Sequence, residues 1–124
     1  MTKEGKTATA KPQIGCYMSS DEAAKLAAYA KRLSVKRPLL VFLLVLRELN
    51  CGRLAALRTR YPYGGKIKGH GRVTARLTSQ TLKRAFDAHI VRLGVGSDEA
   101  AWILFQAELA EEWLDKSLHH GNQS

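Results

Sequence analysis

The amino-acid sequence predicts a mainly helical domain with a two-stranded antiparallel β-ribbon, formed by a strand–helix–helix unit that occurs twice in one chain. Two short segments, residues 13–18 and 72–77, alternate apolar with polar residues as half-buried strands do. Each segment precedes two stretches with apolar residues at helical spacing. Because a lone strand leaves its backbone groups unpaired, we expect the two strands to pair with each other.

The duplication is visible as an internal repeat. Residues 33–49 align without a gap on residues 93–109, and the identical pairs include Leu33/Leu93, Val35/Val95, Glu48/Glu108 and Leu49/Leu109. Repetition of this kind indicates a duplicated structural unit. The predicted organisation is a flexible basic tail (1–12), a first repeat (13–57), a basic linker (58–71), a second repeat (72–118) and a polar tail (119–124), with the two repeats forming one domain.

The first repeat begins with a strand whose alternate residues Ile14, Cys16 and Met18 are apolar. Ser19 and Glu22 then have the spacing of a capping box at the start of a first helix. Ser34 is expected to cap a second helix. The stretch 39–49 is apolar nearly all round, so we expect this second helix to be buried on several sides.

The second repeat follows a segment, 58–71, whose one proline and four glycines should interrupt regular structure. Its strand leads into a helix predicted from about Ser79 to Leu93, with Gly94 as a left-handed stop. A last helix opens at residues 97–99. Its predicted apolar stripe is Ala101, Trp102, Phe105, Leu109 and Trp113.

Charge makes an anionic partner the first to consider. The net charge is +9, and it is uneven: residues 1–100 carry 19 Lys/Arg and 7 Asp/Glu, whereas residues 101–124 carry 1 and 4. The two cysteines, Cys16 and Cys51, have no metal-ligand spacing, and we expect Cys16 to be a buried, reduced thiol in a bacterial cytoplasm. The longest apolar run, 39–46, is too short to span a bilayer.

Arginine, threonine and arginine on the polar face of the second strand are suited to contacts with DNA. Arg72 and Arg76 offer planar donor forks that match guanine O6 and N7, and Thr74 can bond a base edge. The linker adds four cations beside Tyr61 and Tyr63, a composition that suits phosphate and stacking contacts. The four cations are Arg58, Arg60, Lys66 and Lys68.

The duplicated strand–helix–helix unit resembles the ribbon-helix-helix superfamily of the MetJ and Arc repressors, in a tandem single-chain form. Such single-chain tandems are similar to the VirC-operon accessory proteins of T-DNA transfer and to related conjugation proteins. The resemblance implies that the ribbon enters the major groove of DNA and that the start of each second helix contacts a flanking phosphate.

Carried onto this sequence, the resemblance implies two groups of contact residues. The base-facing strand positions are Gln13, Gly15 and Tyr17 in the first copy and Arg72, Thr74 and Arg76 in the second. At the first phosphate site lie Ser34, Lys36 and Arg37. The corresponding start in the second copy holds Asp98 and Glu99, which would repel phosphate, so the two ends of the ribbon are expected to differ.

The functional expectation is a double-stranded DNA-binding protein, not an enzyme, without metal or cofactor, because the sequence lacks a catalytic or metal-binding constellation. It would act as an accessory factor in conjugative or T-DNA transfer, with a relaxase or other transfer proteins as partners. A repressor or antitoxin of the same fold is an alternative. An alternative of another class is a helical adaptor that binds an acidic protein through Trp102 and Trp113. Since the duplication pairs the ribbon internally, we expect a monomer.

Overall fold

The computed structural model describes residues 12–65 and 67–117. Two strands and five helices follow one another in these residues: β1 (Gln13–Met18), α1 (Ser20–Arg32), α2 (Arg37–Cys51), α3 (Leu54–Arg60), β2 (Gly71–Arg76), α4 (Gln80–Leu93) and α5 (Ser97–Glu111). A further helical turn covers residues 113–117. Residues 1–11 of the predicted tail 1–12, all of the predicted tail 119–124, Leu118 and Lys66 of the linker lie outside the described residues.

The two strands pair antiparallel, as predicted. The register places Gln13 opposite Arg76, Gly15 opposite Thr74, and Tyr17 opposite Arg72. The backbone N–H of Leu77 also donates to the carbonyl of Pro12, at 2.7 Å. The alternating apolar side chains of both strands face inward and are buried: Ile14, Cys16 and Met18 from β1, and Val73 and Ala75 from β2.

Local sequence rules explain three of the helix ends. Ser19 and Glu22 form the predicted capping box at the start of α1, and Ser79 accepts a hydrogen bond from the backbone N–H of Leu82 at the start of α4. Gly94 ends α4 in the left-handed region with φ 70°. The predicted capping box and left-handed stop are confirmed. The serine and glutamate side chains bond backbone N–H groups at the helix starts, and Gly94 adopts the left-handed conformation without steric cost.

The link between α1 and α2 differs from the prediction. Ser34 is not the N-cap of the second helix; Lys36 occupies that position, without a side-chain cap. Ser34 instead has φ 61°, and the following N–H, of Val35, donates to the carbonyl of Ala30. Ser34 therefore terminates α1 in the same left-handed conformation that Gly94 uses to terminate α4.

The linker begins later than predicted. Gly52 ends α2 with φ 63°, and α3 then extends to Arg60 because Leu54 and Leu57 are buried against the core. Arg58 and Arg60 thus lie on a helix. The last helix also ends early: α5 stops at Glu111, Glu112 has φ 51°, and Trp113 belongs to the next helical turn rather than to the stripe on α5.

The hydrophobic core lies between the inner face of the ribbon and the helices. α5 packs beneath β1, α1 packs on α5, and α2 packs on α4. The expectation for α2 holds on its inner side, where Leu40, Leu44 and Val45 are buried, whereas Leu39 and Leu46 are exposed. None of the helices in the described part of the chain is long and apolar enough to cross a membrane.

Two buried glutamates mark the same place in each repeat. Glu48 of α2 accepts the backbone N–H groups of Arg53 and Leu54, and Glu108 of α5 accepts the backbone N–H of Leu114. Each carboxylate therefore accepts hydrogen bonds from backbone N–H groups at the start of the helical segment that follows its own helix. Buried charges of this kind are costly unless they are fully hydrogen-bonded, and among the described residues no buried side-chain polar atom lacks a partner.

Each buried glutamate also bonds a side chain from the first helix of the other repeat. The hydroxyl of Tyr29, on α1, donates to Glu108, and the imidazole Nε2 of His89, on α4, lies 2.8 Å from Glu48. Burial, and next the bond to Glu108, raise the pKa of Tyr29. Glu108 additionally accepts from Arg47 Nη1 at 2.8 Å, and this ion pair is almost completely buried.

Candidate nucleic-acid interface

The outer face of the ribbon presents the six residues that alternate with the core residues. They form three cross-strand pairs: Gln13 with Arg76, Gly15 with Thr74, and Tyr17 with Arg72. Gln13, Arg72 and Arg76 are exposed, and Tyr17 and Thr74 are half-buried. The structure therefore brings all five predicted base-facing side chains onto one surface, which carries hydrogen-bond donors and acceptors.

The middle of this face is closely packed. A Cβ added to Gly15 would lie 2.5 Å from Thr74 Cγ2 and 2.5 Å from the carbonyl oxygen of Val73. The first strand therefore requires a glycine here, because Thr74 covers the space that a side chain would occupy. Thr74 is the side chain that projects from the centre of the ribbon.

At one end of the ribbon, Arg72 is held by two neighbours. Its guanidinium carbon lies 5.3 Å from the centroid of the Tyr17 ring, within cation–π distance. Its Nη1 donates to both carboxylate oxygens of Asp98, each at 3.2 Å. Asp98 lies in the first turn of α5, so the start of that helix lies beside the Tyr17–Arg72 pair.

At the other end, Arg76 makes no ion pair with any residue in 12–65 or 67–117. The start of α2 lies beside it: Lys36 and Arg76 line the same groove of about 390 Å³, together with Pro38, Leu39, Phe42 and Thr78. Arg37 Nη1 donates to the backbone carbonyl of Thr74 at 2.9 Å, which ties the first turn of α2 to β2.

The two helix starts beside the ribbon therefore carry opposite charges. The first turn of α2 starts with Arg37, follows the N-cap Lys36 and holds no acidic residue, whereas the first turn of α5 holds Asp98 and Glu99. Helix N-termini attract anions through their free N–H groups and the helix dipole. At the α2 start, the helix dipole and the two cations both favour the binding of a phosphate. At the α5 start, the two carboxylates offset the positive end of the helix dipole.

Two of the four predicted linker cations, Arg58 and Arg60, form ion pairs with glutamates. Arg58 on α3 donates to Glu99 at 2.7 and 3.3 Å, and Arg60 lies 3.5 Å from Glu111. Both arginines are therefore engaged by carboxylates of α5. Lys68 is exposed in the turn before β2. The other aromatic of the linker, Tyr63, packs on Trp102 with 5.7 Å between ring centroids.

Ser34 lies two residues before the α2 N-cap and is exposed, in a groove of about 430 Å³ that Lys31, Lys36 and Arg37 also line. It remains beside the cationic helix start without capping it. Cys16 lies beneath the ribbon, where burial raises the pKa of its thiol to about 12, so that it stays protonated at neutral pH.

Sequence reasoning missed the contact between Asp98 and Arg72. The two residues are 26 positions apart and belong to different elements, so no periodicity connects them. The roles of Glu48 and Glu108 were also missed, although their identity across the aligned repeats was visible. Because a glutamate occurs at the same position in an otherwise apolar stretch of both copies, the sequence could have indicated that these two carboxylates are buried and hydrogen-bonded.

Comparison with protein-family models gives no match, and comparisons with curated proteins and with solved structures give none either. Within the described ranges, no group of three or more His, Cys, Asp or Glu side chains is placed to hold a metal ion. The geometry of the ribbon and its flanking helix starts is therefore the observation from which a function can be argued.

Proposed function

We propose that this protein binds double-stranded DNA by placing the β1–β2 ribbon in the major groove. The observation that carries the proposal is the outer face of the ribbon, where Gln13, Tyr17, Arg72, Thr74 and Arg76 project together from an apolar base. A two-stranded β-ribbon fits the width of the major groove. The side chains on this face are types that bond to base edges and phosphates.

Phosphate contacts on one side of the ribbon are assigned to the start of α2. Lys36 is exposed at the N-cap, and Arg37 follows in the first turn, already bonded to the strand through Thr74. A phosphate bound here would meet the free N–H groups of the helix start and two cations. Since Arg58 and Arg60 are paired with glutamates, they contribute less to this binding than the sequence suggested.

We further propose that the chain is a pseudo-dimer of two ribbon-helix-helix units. The support is reciprocity: a side chain of α1 bonds Glu108 in the second repeat, and the residue 60 positions later, on α4, bonds Glu48 in the first. In the same way α1 packs on α5 and α4 packs on α2. Reciprocal contacts between equivalent positions are what a twofold interface requires.

The process in which the protein acts is proposed from the resemblance of the tandem chain to accessory proteins of conjugative and T-DNA transfer. A chain that satisfies its ribbon internally would bind DNA as a monomer. Because the outer faces of β1 and β2 present different side chains, the DNA sequence that the protein recognises would not be a palindrome. A relaxase or another transfer protein, acting on the same DNA, is the protein partner that fits this process.

The test is fluorescence anisotropy of a labelled random duplex, titrated with the protein at several salt concentrations. DNA binding predicts an affinity that falls linearly with salt on logarithmic axes, with a slope that counts the phosphate contacts. The R72Q/R76Q double variant should bind more weakly. The R84Q/R92Q variant makes the same charge change on α4, outside the two strands, and should bind nearly as the wild type does.

Absence of binding at low salt by the folded wild-type protein would overturn the proposal. Equal losses in the two double variants would also count against it, because they would show a response to net charge instead of to the ribbon. The adaptor alternative makes the opposite prediction, since neutralising Arg72 and Arg76 would leave its function intact.

A further inference from the structure

We infer that Asp98 is a positioning residue that makes Arg72 the main base-reading side chain of the ribbon, with a guanine of the duplex as its target. This inference rests on the proposed function and deepens it. It assigns sequence discrimination to the Tyr17–Arg72 end and general attraction for DNA to the Arg76 end.

The first observation is that Arg72 is held from two sides. Asp98 accepts from Nη1 with both carboxylate oxygens, and the Tyr17 ring lies on the guanidinium face. A free arginine side chain loses considerable rotamer freedom when it is ordered in a complex. An arginine that is already ordered binds a fixed target with less entropic cost and fits a displaced target less well.

The second observation is that the contact with Asp98 uses only one nitrogen of the Arg72 guanidinium, so other donors remain for DNA. Asp98 engages Nη1, and no acceptor among the described residues bonds Nε or Nη2. Guanine presents two acceptors, O6 and N7, to the major groove, and a pair of parallel arginine donors matches them. Nε and Nη2 form such a pair, so one guanidinium can bond a carboxylate and a guanine together.

The other arginine of the ribbon provides the contrast. Arg76 has no ion pair in the described part of the chain and stands beside Lys36, so its side chain can adjust to whichever anion is near. Flexible cations of this kind suit phosphate, which looks the same at every base pair. The ribbon therefore combines one held arginine with one adaptable arginine.

A carboxylate beside a DNA-binding face is otherwise unfavourable, because it repels the phosphate backbone. The charge of Asp98 lowers the affinity of the protein for every DNA sequence. Its contact with Arg72 is therefore favourable only where the fixed position of the guanidinium improves discrimination between bases. Removing it should have two separate effects: tighter binding to random duplexes, and a smaller ratio between preferred and altered sequences. This pair of opposite changes distinguishes positioning from simple repulsion.

The experiment starts with selection of a preferred duplex from a randomised pool by the wild-type protein. Affinities for that duplex, for duplexes with each base pair substituted in turn and for random DNA are then measured for the wild type and for D98N. We expect D98N to lose about tenfold of the preference at one G·C pair, since a bidentate contact discriminates by roughly fivefold to a hundredfold. R72Q should lose preference at the same base pair.

The control is E99Q, which removes the same charge from the neighbouring position, where Glu99 bonds Arg58 away from the ribbon. E99Q should tighten binding to all duplexes and leave the preference unchanged. Thermal melting checks folding, and the exposed Arg72–Asp98 pair contributes too little to stability for D98N to unfold the protein.

Equal effects of D98N and E99Q, with the preference intact, would overturn the inference and leave DNA binding established. Salt-dependent binding by a wild type that selects no sequence would do the same. A wild type that binds no duplex would overturn the proposed function itself, and the inference with it.

Discussion

The two ends of the ribbon differ in charge although the same type of structure flanks each of them. Beside Arg76, a helix begins with Lys36 and Arg37, whereas beside Arg72 a helix begins with Asp98 and Glu99. Among residues 12–65 and 67–117, Lys36, Arg37 and Arg76 at the first end make no ion pair. At the second end, Arg72 pairs with Asp98, and Arg58 pairs with Glu99. Two helix starts that flank the same ribbon can thus carry opposite charges, one suited to general attraction and the other to fixed geometry.

At their C-terminal ends, by contrast, the same two helices make matching contacts. Glu48 and Glu108 are both buried, both satisfy backbone N–H groups after a left-handed residue, and both bond a side chain from the other repeat. Inside the molecule the two repeats therefore use the same contacts. Burial explains the difference, since an unpaired charge is costly in the core and tolerable on the surface.

The largest expected effect comes from breaking the interior contact. Glu108→Ala removes the partner of the buried Arg47 and of Tyr29, and should destabilise the protein by about 3–5 kcal/mol, as loss of one partner from a buried ion pair does. Glu48→Ala should cost less, because Glu48 bonds backbone N–H groups and the His89 imidazole, whereas Glu108 is the partner of a buried guanidinium. Urea denaturation of both variants measures the difference.

The control for this pair is Glu111→Ala, which removes a half-buried, bidentate ion pair with Arg53 and should cost about 1 kcal/mol, clearly less than Glu108→Ala. Equal losses for Glu108→Ala and Glu111→Ala would contradict the role assigned to the buried carboxylate.

The next largest effect tests the middle of the ribbon. Gly15→Ala places a Cβ against Thr74 and the carbonyl of Val73, so we expect a loss of about 1–3 kcal/mol from overpacking. Gly71→Ala is the matched change at the end of the partner strand, where no heavy atom lies within 4 Å of the added Cβ. Thermal melting should show a lower Tm for the first variant and an unchanged or higher Tm for the second.

A smaller effect sharpens the comparison of the helix starts. Lys36→Gln should weaken binding to all duplexes by a similar factor and reduce the salt slope by about 1, as loss of one phosphate contact does. Lys116→Gln, in the helical turn at 113–117, removes the same charge far along the chain and should leave the slope unchanged. Anisotropy titrations give both slopes; an effect of Lys36→Gln on one sequence only would contradict a phosphate contact.

The smallest effect concerns the left-handed residues that end α1 and α4. Ser34 has φ 61° and Gly94 has φ 70°. Ser34→Gly should stabilise the protein by about 0.5–1 kcal/mol, because glycine adopts this conformation without steric cost. Gly94→Ser should destabilise it by a similar amount. Chemical denaturation of the two variants tests the symmetry, and a loss of stability in Ser34→Gly would refute it.

Much of the fold follows from local rules that the sequence displays. Both strands were predicted from alternation, and the caps at Ser19, Ser79 and Gly94 follow from residue types that satisfy unpaired backbone groups. Ser34 shows the limit of such rules. A serine before a helix favours an N-cap, but here it ends the preceding helix instead, and the sequence does not distinguish these two neighbouring positions.

The remaining features depend on contacts between distant residues. α3 forms because Leu54 and Leu57 are buried in the core. This tertiary packing stabilises a helix just after Gly52, a residue type that favours the end of helical structure. The composition of the linker suggested free cations, yet Arg58 is paired with Glu99, 41 positions away. The residues of the candidate interface were predicted by type and face; which of its arginines would be held by a carboxylate was not.

The central claim is that the outer face of the ribbon contacts DNA, and backbone amide NMR of the protein with added duplex tests it most directly. The account predicts that the signals of β1, β2 and the start of α2 shift on titration, while those of residues 111–117 stay unchanged. Shifts confined to the end of α5 and the turn containing Trp113, with the ribbon signals unmoved, would contradict it.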